Sequence, residues 1–176
     1  WLYNGGQATV ASYIRDYTDE FGQEDTEQLL LQIVDDKEWM ERLPSHIVLD
    51  KWRLVHAGYD PRKELDSQEE DTLLWIRKPF YNALEPIDAE RTVLFGHTPT
   101  MNLNKHLGAG KWGKPWYSNV KLKDGRSASI GLDTCLFHEE RQPATLTAFN
   151  LQTHEVLQVS RVERWDERIR EQVKEV

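Results

Sequence analysis

Apolar positions in the first part of the chain recur at helical spacing. Val10, Tyr13, Ile14 and Tyr17 fall at i, i+3, i+4 and i+7, which predicts a helix from Ala8 to Tyr17. The acidic turn Asp19-Glu20-Phe21-Gly22 follows. A second helix is expected from about Asp25 to Leu43, with Leu29, Leu30, Ile33, Val34, Met40 and Leu43 apolar. Pro44 stops it, because proline lacks the amide hydrogen and clashes with the preceding turn. The pattern then shortens to two predicted strands, near Ile47–Leu49 and Trp52–Val55, and a polar loop from Gly58 to Ser67. Glu69-Glu70-Asp71-Thr72 opens a third helix with acids where the helix dipole favours them. That helix carries Leu73, Leu74, Trp75 and Ile76 and is disturbed at Pro79.

Thr92-Val93-Leu94-Phe95 is a continuous apolar run ending at Gly96, the pattern of a central strand covered on both faces. A long loop rich in Gly and Pro runs from Thr98 to Trp116, and loops of that length are often functional. Strands are predicted at Ala128–Leu132, Thr145–Leu151 and Val156–Val159, with Gln152-Thr153-His154 as the turn between the last two. The segment from Val162 to Val176 alternates Arg and Glu and places Val162, Trp165, Ile169 and Val173 at helical spacing. It reads as a surface helix, with a partner-binding helix as the alternative. There is no internal repeat. The mixture of helices and strands gives an α/β (α+β) class, organised as a body over residues 1–160 and a charged C-terminal helix over 161–176.

Composition bounds the function. The 176 residues suit one domain, and 39% hydrophobic with 30% charged residues is a globular composition. A net charge of −8 argues against a nucleic-acid surface and against an anionic membrane. No apolar run approaches a bilayer span, and Trp1 to Tyr13 lacks the basic start and apolar stretch of a signal peptide. The single cysteine, Cys135, allows no internal disulfide, so a cytoplasmic location is expected.

Two short stretches carry chemistry. Arg53-Leu54-Val55-His56-Ala57-Gly58 delivers a histidine at a predicted strand end, followed by residues small enough for a tight turn. Val93-Leu94-Phe95-Gly96-His97-Thr98-Pro99-Thr100 repeats the arrangement. Imidazole is a common ligand of borderline metals. A histidine after a strand is also a common hydrogen-bonded structural residue, and two histidines alone do not complete a metal site, which takes three or four ligands.

Those stretches belong to an ordered set: Trp1-x-x-Asn4-Gly5-Gly6-x-x-Thr9-x-x-Ser12-Tyr13, His56-Ala57-Gly58, Trp75-Ile76-Arg77, Gly96-His97-Thr98-Pro99-Thr100 and Gly131-Leu132-Asp133-Thr134. The set resembles the bacterial phosphoprotein-phosphatase branch of the calcineurin-like metallophosphoesterases, which includes diadenosine tetraphosphatases and small Ser/Thr protein phosphatases. The resemblance runs to about Val159. It implies the C-terminal part of a four-layer αββα sandwich, with mixed sheets flanked by helices. It implies that His56 and His97 bind one metal and that Arg77 binds the substrate phosphate, a task suited to a planar guanidinium. The alternative for Arg77 is an ion pair with Glu70 or Glu85. Asn4 occupies a signature near the active-site rim and also suits a turn or helix cap, the reading favoured by Asn-Gly-Gly before a helix. His106, in the long loop, is a candidate substrate contact, whereas His46 and His138 read as surface residues and Asp133 as structural. Cys135 stands where the family usually has glycine; no Cys-x5-Arg loop follows it, so it is not expected to be a nucleophile.

The activity implied is hydrolysis of phosphate monoesters by a hydroxide bridging two divalent metals, with Mn, Fe or Zn as the ions. A phosphorylated protein is the expected substrate and a dinucleoside polyphosphate the alternative, with Trp112, Trp116 and Tyr117 able to stack on a base or to pack the loop. The family motifs Gly-Asp-x-His-Gly, Gly-Asp-x-x-Asp-Arg-Gly and Gly-Asn-His-Glu, which supply the other ligands and the acid, do not occur in the sequence. The chain therefore reads as a portion of such an enzyme, inactive alone, with an open sheet edge that invites self-association. The competing reading is a truncated, non-catalytic binding or assembly module.

Overall fold

The computed structural model describes residues 6–21, 26–103, 108, 110–137 and 144–160. The predicted helix over 161–176, together with Asn4, His106 and His138, lies outside them. The chain divides into two compact units, Trp1–Pro44 and Ser45–Val176.

The first unit contains two helices, α1 (Gly6–Phe21) and α2 (Thr26–Glu41). Both were legible in the apolar spacing, and both run somewhat beyond or inside the predicted limits. The Tyr13 hydroxyl on α1 donates to the Asp36 carboxylate on α2, and Gln32 Nε2 holds the other oxygen of Asp36 at 3.0 Å. No residue of α2 is buried, and Leu30, Trp39 and Met40 are each more than half exposed. The apolar content of α2 therefore does not form a core within this unit. Two helices can bury only the strip between them, and the rest of each circumference faces outward.

The second unit is a mixed α/β body. Five strands form one sheet: β1 (His46–Val48), β2 (Trp52–Val55), β3 (Thr92–Phe95), β4 (Trp116–Tyr117) and β5 (Ser129–Gly131). Their order is β1-β2-β3-β5-β4. The inner pairs β2–β3 and β3–β5 are parallel, and the outer pairs β1–β2 and β4–β5 are antiparallel. A separate hairpin is formed by β6 (Thr145–Phe149) and β7 (Val156–Ser160). Its turn is tied by Asn150 Oδ1, which accepts the amides of Gln152 and Thr153 at 2.9 and 3.0 Å.

The continuous apolar run of β3 has the cause expected for it: all four residues are buried, because side chains alternate to two covered faces. Val93 and Phe95 enter a cluster with Val55, Tyr59, Phe80 and Trp116. Leu94 enters another with Trp52 and Ile130, capped by Phe149 and Leu151. Phe95 meets Phe80 and Trp116 edge-on, at centroid distances of 4.9 and 6.1 Å.

Pro79 divides the third predicted helix in two. Helix α3 (Glu70–Trp75) ends before it, and a new turn, α4 (Lys78–Tyr81), starts with Pro79 in its first positions, where a missing N–H loses no bond. Of the apolar residues that α3 carries, Leu73 is buried and Trp75 is 61% exposed. The predicted surface position of His46 is corrected. It lies in β1, half-buried, with its ring 5.8 Å from that of Tyr59 and with a buried Nδ1 that has no hydrogen-bond partner among the described residues. Among the described residues no helix is long and apolar enough to cross a membrane.

Candidate functional site

Because β2 and β3 run parallel and in register, with Leu54 beside Leu94, their C-terminal ends emerge side by side. His56 follows β2 directly, and Gly96-His97 follows β3. The Gly96 amide donates to the His56 carbonyl at 2.9 Å, extending the ladder by one bond into the site. The Thr98 amide then turns back to the Gly96 carbonyl at 2.5 Å, closing a three-residue turn with His97 at its centre. His97 has φ of 59°, so this is the strained form of γ-turn that non-glycine residues seldom adopt. Backbone strain of this kind persists where the surroundings over-determine it, and such places are often functional.

The turn brings the two imidazoles together. His56 Nε2 and His97 Nδ1 are 3.1 Å apart, and the ring planes cross at 57° with centroids 4.9 Å apart. His56 is exposed and His97 half-buried. Burial holds the His97 pKa below its ordinary value; the Arg77 and His56 charges push the same way, opposed by the Trp75 backbone and the Asp133 carboxylate. His97 Nε2 is buried and has no hydrogen-bond partner by donor–acceptor geometry among the described residues. The ring of Trp75 meets that of His97 nearly perpendicularly, at 5.5 Å.

Several contacts fix the site's frame. The Ala57 amide donates to the Leu73 carbonyl at 2.8 Å, pinning α3 to the turn after His56. Gly58 has φ of 147°, and a Cβ there would run into the Phe80 ring, so the turn needs glycine for conformation and for space. Arg77 Nη1 donates to the His97 carbonyl at 3.2 Å and to Thr98 Oγ1 at 3.1 Å. The ion pair considered for Arg77, with Glu70 or Glu85, is not formed: Arg77 is spent on the His97 turn instead.

The donor set can be tested against a metal. Two nitrogen ligands on one ion, each at about 2.0–2.1 Å, stand roughly 2.8–3.4 Å apart for bond angles between octahedral and tetrahedral. The His56–His97 separation lies in that range. It equally fits a hydrogen bond in which one ring N–H donates to the other ring nitrogen. A proton and a metal would thus compete for the same pair of lone pairs. Among the described residues no group of three or more His, Cys, Asp or Glu side chains is placed to hold a metal ion. Two imidazole nitrogens alone do not complete a metal site, which takes three or four ligands.

The other candidates divide. Asn4 and His106 lie outside the described residues. Asp133 is structural: its carbonyl accepts the Thr100 amide at 2.8 Å and its Oδ1 the Cys135 amide at 3.2 Å. Cys135 is fully buried at φ 72°, a conformation that glycine adopts freely. Trp116 cannot stack on a ligand: it is 1% exposed and donates Nε1 to the Gly108 carbonyl at 2.9 Å. Sequence reasoning missed Trp75 and Thr98 as members of the site, although both stand inside motifs it quoted. No protein-family model matches the chain, and neither does any curated protein or solved structure.

Proposed function

We propose that the chain is the histidine-pair and phosphate-binding portion of a divalent-metal phosphoesterase that hydrolyses phosphate monoesters, within an αββα sandwich. The reading rests on one observation above the others: two imidazoles from adjacent parallel strands present nitrogens 3.1 Å apart, as two ligands of one ion would be. His56 and His97 hold the ion, with Mn, Fe or Zn as candidates. A divalent ion at such a place supplies an activated water and neutralises phosphate charge. Arg77 keeps Nε and Nη2 clear of hydrogen bonds to the described residues, and these donors grip the substrate phosphate. A phosphoprotein is the proposed substrate, a dinucleoside polyphosphate the alternative, and the cytoplasm the proposed compartment.

A non-catalytic binding module is the second reading, favoured by the lack of a third ligand among the described residues. Calorimetric titration with Mn²⁺ and Zn²⁺ decides whether the pair binds metal. The proposal expects binding that is lost in His56→Ala and in His97→Ala while both variants stay folded. Binding that ignores both substitutions, or none at all, sinks it. The family's remaining ligand motifs do not occur in the sequence, so p-nitrophenyl phosphate turnover by this chain alone is expected to be absent.

A further inference from the structure

The His97 turn is held by more than its own backbone. A non-glycine residue at positive φ in a γ-turn is strained, so it relaxes unless neighbours hold it. Among the described residues the turn has one support from the sheet, the Gly96 amide on the His56 carbonyl. Beside the contact of the Trp75 backbone with the His97 ring, a guanidinium nitrogen also supports it. Arg77 Nη1 bridges the His97 carbonyl and Thr98 Oγ1, one contact on the centre of the turn and one on its far side. Arg77 itself is set by the short helices around it, as the residue that precedes α4 and follows the α3 end pinned by Ala57.

We infer that Arg77 is a positioning residue for the histidine pair: it holds the strained turn that aims His97 Nδ1 at the same point as His56 Nε2. This goes beyond a phosphate grip and rests on the metal-binding reading of the pair. One guanidinium fork does both, with Nη1 bracing the turn while Nε and Nη2 remain for an anion. Residues that orient metal ligands are typically worth 10- to 100-fold in metal affinity.

The sign of the effect separates this role from simple electrostatics. A guanidinium beside a cation site repels the cation, so deleting its charge strengthens metal binding if charge is all that matters. A brace predicts the opposite. The experiment measures Zn²⁺ affinity by calorimetry, with Tm alongside, for the full chain and for Arg77→Ala, Arg77→Lys and Thr98→Val. Arg42→Ala, an exposed cation just after α2, serves as the control for net charge. The expected result is a loss of about tenfold in Arg77→Ala at nearly unchanged Tm. Partial recovery in Arg77→Lys, which keeps one donor for the carbonyl, a smaller loss in Thr98→Val and no change in Arg42→Ala complete the expectation. Unchanged or tighter binding in Arg77→Ala overturns the brace while leaving the metal reading intact. Wild-type binding that does not need His56 and His97 overturns that reading, and the brace with it.

Discussion

Arg53 on β2 and Asp88 in the segment before β3 form a buried ion pair, Nε to Oδ2 at 2.6 Å, with side chains 9% and 5% exposed. Asp88 Oδ1 also accepts the amides of Glu90 and Arg91 at 2.9 and 3.0 Å. The pair therefore ties the chain entering β3 to the strand that carries His56. Burial pushes the Asp88 pKa up, but the Arg53 bond and the two amides outweigh it and hold the carboxyl below its ordinary value. Removing Asp88 leaves the Arg53 charge buried without its carboxylate. Asp88→Ala is expected to destabilise the fold by about 3 kcal/mol, and Asp88→Asn by less, since the amide oxygen can still accept backbone N–H bonds. Urea unfolding followed by circular dichroism measures both. A change below about 1 kcal/mol in Asp88→Ala, the worth of an exposed pair, would mean the pair is solvated.

Acid should find a second aspartate. Asp60 is held at a pKa of about 2, against an ordinary 3.8, chiefly by the Arg62 side chain, with the Arg62 amide adding to it. Oδ1 accepts from Arg62 Nε at 2.9 Å and Oδ2 from Nη2 at 2.7 Å. The folded state thus binds this proton less readily than the unfolded chain, so stability rises with pH across the window. The contribution is complete above 3.8 and is lost as pH falls through about 2. Stability measured at steps across that window should fall more steeply in the wild type than in Asp60→Asn. Parallel curves would show that the Arg62 contact contributes nothing in solution.

Gly58 offers a steric test beside the site. Its φ of 147° and the Phe80 ring leave no room for a methyl group. Phe80 packs edge-on against Phe95 in the core, so it cannot yield freely. Gly58→Ala should cost roughly 2 kcal/mol, as overpacked core substitutions do, lowering Tm by about 4–8 °C in a chain of this size. Calorimetry checks it; an unchanged Tm would mean that the loop re-forms without contact to Phe80.

The sequence was most informative where one local pattern had one physical cause. Thr92–Phe95 was legible as a strand because a continuous apolar run of that length suits a strand covered on both faces. β4 was not, since a two-residue edge pairing of Trp116 and Tyr117 leaves no periodicity to read. Leu30, Val34 and Met40 helped make α2 legible as a helix, yet all three are exposed, because spacing reports a face and not what covers it. In the site, His56 and His97 stood out as matched strand ends. Their 3.1 Å approach depends on one residue's left-handed φ, which no pattern in Gly-His-Thr encodes. The Arg77 contacts to that turn are long-range and equally invisible to spacing.

That φ allows folding and ligation to be separated at one position. At φ 59° in a γ-turn the backbone of His97 is better tolerated by Asn, which adopts positive φ more often than most residues, than by a β-branched residue. His97→Asn should therefore keep a near wild-type Tm, while losing metal affinity because the imidazole nitrogen is gone. His97→Val should lose the same affinity and in addition about 1–2 kcal/mol of stability from the backbone alone. Denaturant unfolding and metal titration on the same two proteins give both numbers. If the valine variant is as stable as the asparagine variant, the turn is not left-handed in solution, and the approach of Nδ1 to His56 loses its structural basis.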